Sequence, residues 1–149
     1  MIEFRNARRE DIPAIVALLA DDALGAKREN PADLAPYETA FAALTAQKGN
    51  AIIVGDDNGK VVACLQLLVV PGLARNGTTR AFIEAVRVSS DRRGHKIGEA
   101  IVRHAIERAR AAGCRIVQLT SDNSRTDAHR FYERLGFKAT HVGMKLDLV

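Results

Sequence analysis

No stretch of this chain approaches the ~20 consecutive apolar residues that a membrane-spanning helix needs. The opening Met1-Ile2-Glu3-Phe4-Arg5 also lacks the basic and then apolar plan of a secretory leader. A cytoplasmic protein with no membrane partner is the expectation. Cysteine is scarce: Cys64 and Cys114 stand alone, without a C-x-x-C pair or a nearby histidine cluster, so neither a zinc site nor a disulfide framework is expected. Both cysteines read as small buried hydrophobes. His95, His104, His129 and His141 are not spaced as metal ligands, and no metal is expected. Aromatic residues make up only 5% of the chain, with no aromatic-studded basic strand of the kind that stacks bases. The balance of 22 basic against 18 acidic residues leaves +4, which favours acidic ligands without calling for nucleic acid. Internal repeats, low-complexity tracts and linkers are missing too. What remains is 149 residues, 47% of them hydrophobic, the size and composition of one domain, 1–149, with an ordinary core.

The periodicities lay out the elements. Ile2 to Arg5 alternates as a first strand, and Asp11 stands as a cap before Ile12, Ile15, Val16 and Leu19 at helical spacing, with Pro13 tolerated in the first turn. Pro31 announces a second helix carrying Leu34, Tyr37, Phe41 and Leu44 on one stripe and ending near Gly49. Two β-rich runs, 51–54 and 61–70, flank the hairpin signal Asp56-Asp57-Asn58-Gly59. After the Asn76-Gly77 turn, 81–88 reads as a strand apolar on both faces and therefore central. A long helix places Ile97, Ala100, Ile101, Ala105 and Ala109 on one face and stops at Gly113. Residues 115–120 form a further strand. Ser124 and Asp127 suggest a capping box for a helix with Ala128, Phe131 and Leu135, closed by Gly136. Residues 137–139 and 142–146 supply the final strands.

Three features carry chemistry. The junction Ser89-Ser90-Asp91-Arg92-Arg93-Gly94-His95-Lys96-Ile97-Gly98 runs from a strand through glycine into a helix, which leaves backbone N–H groups unpaired at the positive end of the helix dipole. Cations are disfavoured there, so Arg92, Arg93, His95 and Lys96 in one place suggest a bound polyphosphate. Glycine in a strand-to-helix turn has purely steric uses as well. Glu84, on an alternating strand, shares a face with Phe82, Val86 and Val88, neighbours that would strip water from its carboxylate, raise its pKa and suit it to accept a proton. The competing reading pairs Glu84 with Arg80 or Arg87, or brings it out at an opening in the sheet. In Ala128-His129-Arg130-Phe131-Tyr132-Glu133-Arg134-Leu135-Gly136-Phe137, helical geometry sends Phe131 and Leu135 to the core and leaves Tyr132 one position round, where a phenol can donate a proton.

Taken together, RRGHKIG after the strand holding Glu84, and RFYERLGF after a further strand, resemble the GNAT superfamily of N-acetyltransferases over nearly the whole chain. The resemblance implies an α/β (α+β) fold with a central mixed, mostly antiparallel sheet of about six to seven strands, splayed in the middle and flanked by about four helices. It implies acetyl-CoA as cosubstrate. The main chain of Val86, Arg87 and Val88 would meet the pantetheine arm, and Arg93, Gly94, His95, Lys96, Ile97 and Gly98 would cradle the pyrophosphate. Asn123 would touch the pantetheine and Tyr132 the sulfur, with Phe131 beside it; Arg125 is a further candidate, as a phosphate contact or as an ordinary surface cation. By the same resemblance Glu84 is the general base and Tyr132 the general acid in direct transfer of an acetyl group to a primary amine, of a small molecule or a peptide. Lys96 departs from the family's usual glycine, and a non-catalytic acyl-CoA-binding or regulatory module is the alternative. Asp21, Asp22, Glu29 and Asp33 fall in the segment that would wall the acceptor pocket, as attractors of an amine or as ordinary surface charge. A homodimer through Val142 to Leu146 is a further expectation.

Overall fold

A computed structural model describes all 149 residues, Met1–Val149. They form two compact units, Met1–Gln118 and Leu119–Val149.

The first unit is built on five strands in the order of the chain: β1 (Ile2–Asn6), β2 (Asn50–Asp57), β3 (Lys60–Val70), β4 (Arg80–Val88) and β5 (Ile116–Gln118). The first four run antiparallel to their neighbours, and β5 lies parallel to β4. The β2–β3 connection is as tight as its sequence requires: Asn58 and Gly59 both take positive φ (52° and 93°), the geometry of a two-residue hairpin turn. Five helical segments accompany the sheet: α1 (Ile12–Ala20), α2 (Gly25–Arg28), α3 (Ala35–Thr45), α4 (Ala74–Gly77) and α5 (Ile97–Ala111). A sixth, α6 (Thr126–Arg134), belongs to the second unit. The fold is thus α/β with a mixed five-stranded sheet and six helices, rather than six to seven strands and four helices. The strand excess comes from residues 137–139 and 142–146, which adopt no regular structure. Two short helices, α2 and α4, escaped sequence reading because four residues are too few to show a period.

The core follows from the apolar stripes. Helix α1 buries Ile12, Ile15, Val16 and Leu18, and α5 buries Ile97, Ile101, Val102, Ala105 and Ala109. Between them lie Ile53, Val54, Val62, Ala63, Cys64, Leu65, Leu67, Ala81 and Ile83. Helix α3 has no fully buried residue, and its stripe Leu34, Tyr37, Phe41 and Leu44 is half-buried. The expected cap at Asp11 takes another form. Its carboxylate accepts the Arg8 N–H (2.7 Å) and both terminal nitrogens of Arg5 (2.7 and 3.0 Å), tying β1 to the start of α1.

Candidate active site

Strand β4 is irregular where the chemistry was expected. Cys64 faces Arg87 and Gln66 faces Glu84, so Ala85 and Val86 together oppose Leu65 in a bulge. Ala85 takes φ 53° to make it. The extra residue inverts the alternation beyond it. Arg80, Phe82, Glu84 and Arg87 share one face, while Ala81, Ile83 and Val88 share the other. The expectation that Phe82, Val86 and Val88 desolvate Glu84 is therefore corrected: Glu84 is exposed. Neither Arg80 nor Arg87 pairs with it, since Arg80 donates to Gln118 Oε1 (3.2 Å) and Arg87 lies 3.1 Å from Asp22 Oδ2. No glycine or proline marks the bulge, so an unbroken β pattern concealed it.

The ladder between β4 and β5 covers only Arg80–Phe82 against Ile116–Gln118. Past Phe82 that edge of β4 lies outside any ladder, which leaves main-chain groups of Val86 and Val88 open on one side. A short 3₁₀ turn, Ser90–Arg92, follows. Arg93 is extended, Gly94 takes φ 85°, Lys96 takes φ 59° and ψ 20°, and α5 begins. None of the N–H groups of residues 93–98 finds a backbone acceptor; the first such bond is Ala100 to Lys96. The position that glycine commonly fills does demand a left-handed backbone, and Lys96 adopts it.

The cations of this turn are less available than their sequence suggests. Arg92 pairs with Asp57 (2.6 Å), Arg93 donates to the carbonyl of Asp21 (2.9 Å), and the His95 ring meets the carbonyl of Arg92 (3.0 Å). Lys96 has no side-chain partner in any ion pair. The acidic residues between α1 and α3 are committed as well. Asp21 Oδ2 accepts the Ser90 N–H (3.1 Å), Asp22 holds Arg87 and the Gly25 N–H, Glu29 accepts the Tyr37 hydroxyl, and Asp33 accepts the Ala35 N–H. Their lengths and directions make them ties within the fold, with Asp21 and Asp22 holding the α1–α2 loop against the β4–α5 junction. Sequence spacing gives no sign of these long-range pairs.

The second unit carries the remaining candidates. The Ser124–Asp127 capping box does not form. Asp122 Oδ1 instead accepts both the N–H and the hydroxyl of Ser124 (2.9 and 2.6 Å), and Arg125 occupies the cap position. Asn123 and Arg125 are exposed on this turn. Phe131 is half-buried, as is Tyr132, whose ring packs edge-on against Phe131 (5.0 Å) and Phe137 (5.8 Å). The thiol of Cys64 is pushed up to about 12 by burial, against a smaller opposing pull from Arg87, and a protonated, enclosed thiol is no nucleophile. Burial raises Cys114 in the same way. No cluster of residues suited to hold a metal ion is present, and no helix is long and apolar enough to cross a membrane.

A bulged strand with one edge left open past Phe82 thus leads into a turn of unpaired amides at a helix start. The model of the Acetyltransferase (GNAT) family matches residues 12–137, and the chain belongs to that family. It is 31% identical over 139 residues to an aminoalkylphosphonate N-acetyltransferase of Salmonella typhimurium, covering 93% of this chain and 86% of that one. A solved transcriptional regulator of Bacillus halodurans superposes with a TM-score of 0.96 at 43% identity, over 99% of this chain and all (100%) of the other. A putative acetyltransferase of Agrobacterium tumefaciens gives 0.85 at 37% identity, over 98% and 99%. The protein is an acetyl-transferring enzyme of a family that uses acetyl-CoA.

Proposed function

We propose that the protein moves the acetyl group of acetyl-CoA directly onto the nitrogen of a primary amine, with both substrates bound at once. The observation that carries this reading is the run of N–H groups from residue 93 to residue 98 without backbone acceptors, shaped by the left-handed Gly94 and Lys96 and placed where the open edge of β4 ends. Such a cradle fits a pyrophosphate. In this reading Arg93, Gly94, His95, Lys96, Ile97 and Gly98 hold the phosphates, the main chain of Val86, Arg87 and Val88 lies along the pantetheine, and Asn123, Arg125 and Phe131 are the remaining candidates for cofactor contact. Acetyl-CoA supplies an acyl group already activated as a thioester. Glu84 takes a proton from the amine, directly or through water, which its exposure allows. A main-chain N–H of Val86 or Val88 polarises the carbonyl, and Tyr132 gives its hydroxyl proton to the departing sulfur. No enzyme-bound acyl group is needed, in keeping with the two inert cysteines.

The relative from Salmonella typhimurium is named for an amine acceptor, and the reading takes from it only the amine. The family match crosses Gln118, which supports treating 1–149 as one catalytic domain. A cytoplasmic location, where acetyl-CoA is made, and a homodimer complete the proposal. Thiol release from acetyl-CoA, measured with a panel of amino acids, polyamines, aminoglycosides and peptide amino termini, tests it. One class should raise release well above acceptor-free hydrolysis. A flat panel, together with no calorimetric heat from millimolar acetyl-CoA, would overturn the proposal.

A further inference from the structure

Three arginines lie on strands of this protein, and two of them hold carboxylates. Arg5 is paired with Asp11 and Asp56, and Arg87 with Asp22. Arg80 is the third, half-buried like the others, yet it faces no carboxylate. A neutral acceptor, Gln118 Oε1 at 3.2 Å, fixes its guanidinium, which lies 5.5 Å over the ring of Phe82. A half-buried cation held in place but not neutralised is costly unless something anionic visits it. On the same face of the same strand, Glu84 is an exposed carboxylate with no cation of its own. Four residues of strand put their Cα atoms roughly 13 Å apart, and the stacking of Arg80 over Phe82 brings its charge to about 7 Å from the level of Glu84. The positive end continues beyond β4. Arg75 and Arg115 line a cleft of about 350 Å³ with Asn76, Thr78 and Ile116, and neither pairs with a carboxylate. Backbone strain marks its wall, where Arg75, Asn76 and Gly77 are left-handed in succession (φ 54°, 60° and 71°).

Resting on the reading that an amine is the acceptor, we propose that this amine also carries an oxyanion, of the phosphonate, phosphate or carboxylate kind, and that Arg80 reads it. The face presents − at Glu84, an apolar floor at Phe82 and + at Arg80, which is the complement of a short zwitterion: ammonium toward Glu84, chain over the ring, acid on the guanidinium. Arg75 and Arg115 add positive potential at the acid end.

The test compares 3-aminopropylphosphonate, propylamine and propylphosphonate on the wild-type protein and on Arg80→Leu, by initial rates with acetyl-CoA and by calorimetric binding. A charge-assisted bond of this kind is worth about 10- to 100-fold. Wild type should prefer the amino acid ligand to propylamine by that factor in kcat/KM and in affinity, and Arg80→Leu should erase the preference while still binding acetyl-CoA. Arg80→Gln, which keeps a polar group beside Gln118, serves should the leucine variant fail to fold. Equal use of the two amines by wild type, or a preference that survives in the variants, overturns the proposal. If no amine is acetylated, the transferase reading fails on its own, and the binding measurements still decide the role of Arg80: affinity for 3-aminopropylphosphonate no greater than for propylamine refutes it.

Discussion

Asp11 is 11% exposed at its side chain and Arg5 15%, so their pair is largely out of water. The hydrogen bonds from Arg5 hold the Asp11 carboxyl below its usual range, against the opposing effect of burial. A carboxyl whose pKa is depressed by folding stabilises the protein above the unfolded value of about 4, and that contribution fades as pH falls through the folded value. Arg5→Ala strands a buried carboxylate and should cost about 3 kcal/mol at pH 7. Urea melts at pH 7 and pH 3 check this: the gap between wild type and variant should narrow at pH 3, and a gap independent of pH would assign the loss to packing. Tyr132 and Glu84 are argued at the same scale. Tyr132→Phe keeps both ring contacts and removes only the hydroxyl; turnover should fall by about 100-fold or more with little change in acetyl-CoA affinity. Glu84→Gln should lower turnover by about 100-fold with little change in acetyl-CoA affinity, and an unchanged turnover would take Glu84 out of proton transfer. The helical period of Ala128, Phe131 and Leu135 placed Tyr132 on α6, where its ring lies against Phe131. Sequence alternation misjudged the surroundings of Glu84, because the parity of a strand holds only until a bulge breaks it.

At the scale of elements, the β4–α5 turn places a lysine where the backbone is left-handed. That conformation costs an L-residue with a side chain roughly 1–2 kcal/mol, part of which a glycine returns through its own entropy in the unfolded chain. Lys96→Gly should therefore stabilise the protein by about 0.5–1 kcal/mol in denaturant melts. Acetyl-CoA affinity should become less sensitive to salt, as the one cation of the turn whose side chain makes neither an ion pair nor a hydrogen bond within the fold is lost. Destabilisation would mean that Lys96 makes a contact worth more than its strain. The four longer helices and the five strands could be read from the sequence because each has a period or punctuation: Gly113 after α5, Asn58-Gly59 between β2 and β3. The ties that hold the turn could not. Asp21 reaches Ser90 and Arg93 across 69 and 72 residues, and Asp22 reaches Arg87, pairings that depend on tertiary placement rather than on local pattern.

At the scale of the whole molecule, the carboxyl-terminal segment is the least satisfied part of the chain. Val142, Met144, Leu146 and Leu148 are 82%, 91%, 84% and 90% exposed, at every second position, with Gly143, Lys145 and Asp147 between them. A period of two is what a strand with one buried face displays, which is why the sequence reads 142–146 as a strand; the pattern was legible, and what it lacks is a ladder. Apolar side chains left in water along one line are characteristic of an interface rather than of an isolated surface. A second copy of the chain is the partner we propose, since the same segment in each copy supplies the same unpaired backbone and the same apolar row, and two-fold association lets each satisfy the other. Light scattering over a concentration series should give the mass of a dimer. The double substitution Val142→Asp and Leu146→Asp, which puts like charges into that row without touching a buried residue, should shift the protein to monomer while its circular dichroism is retained. A monomer mass for the wild-type chain at every concentration would refute self-association, and a variant that stays dimeric would move the interface away from this segment.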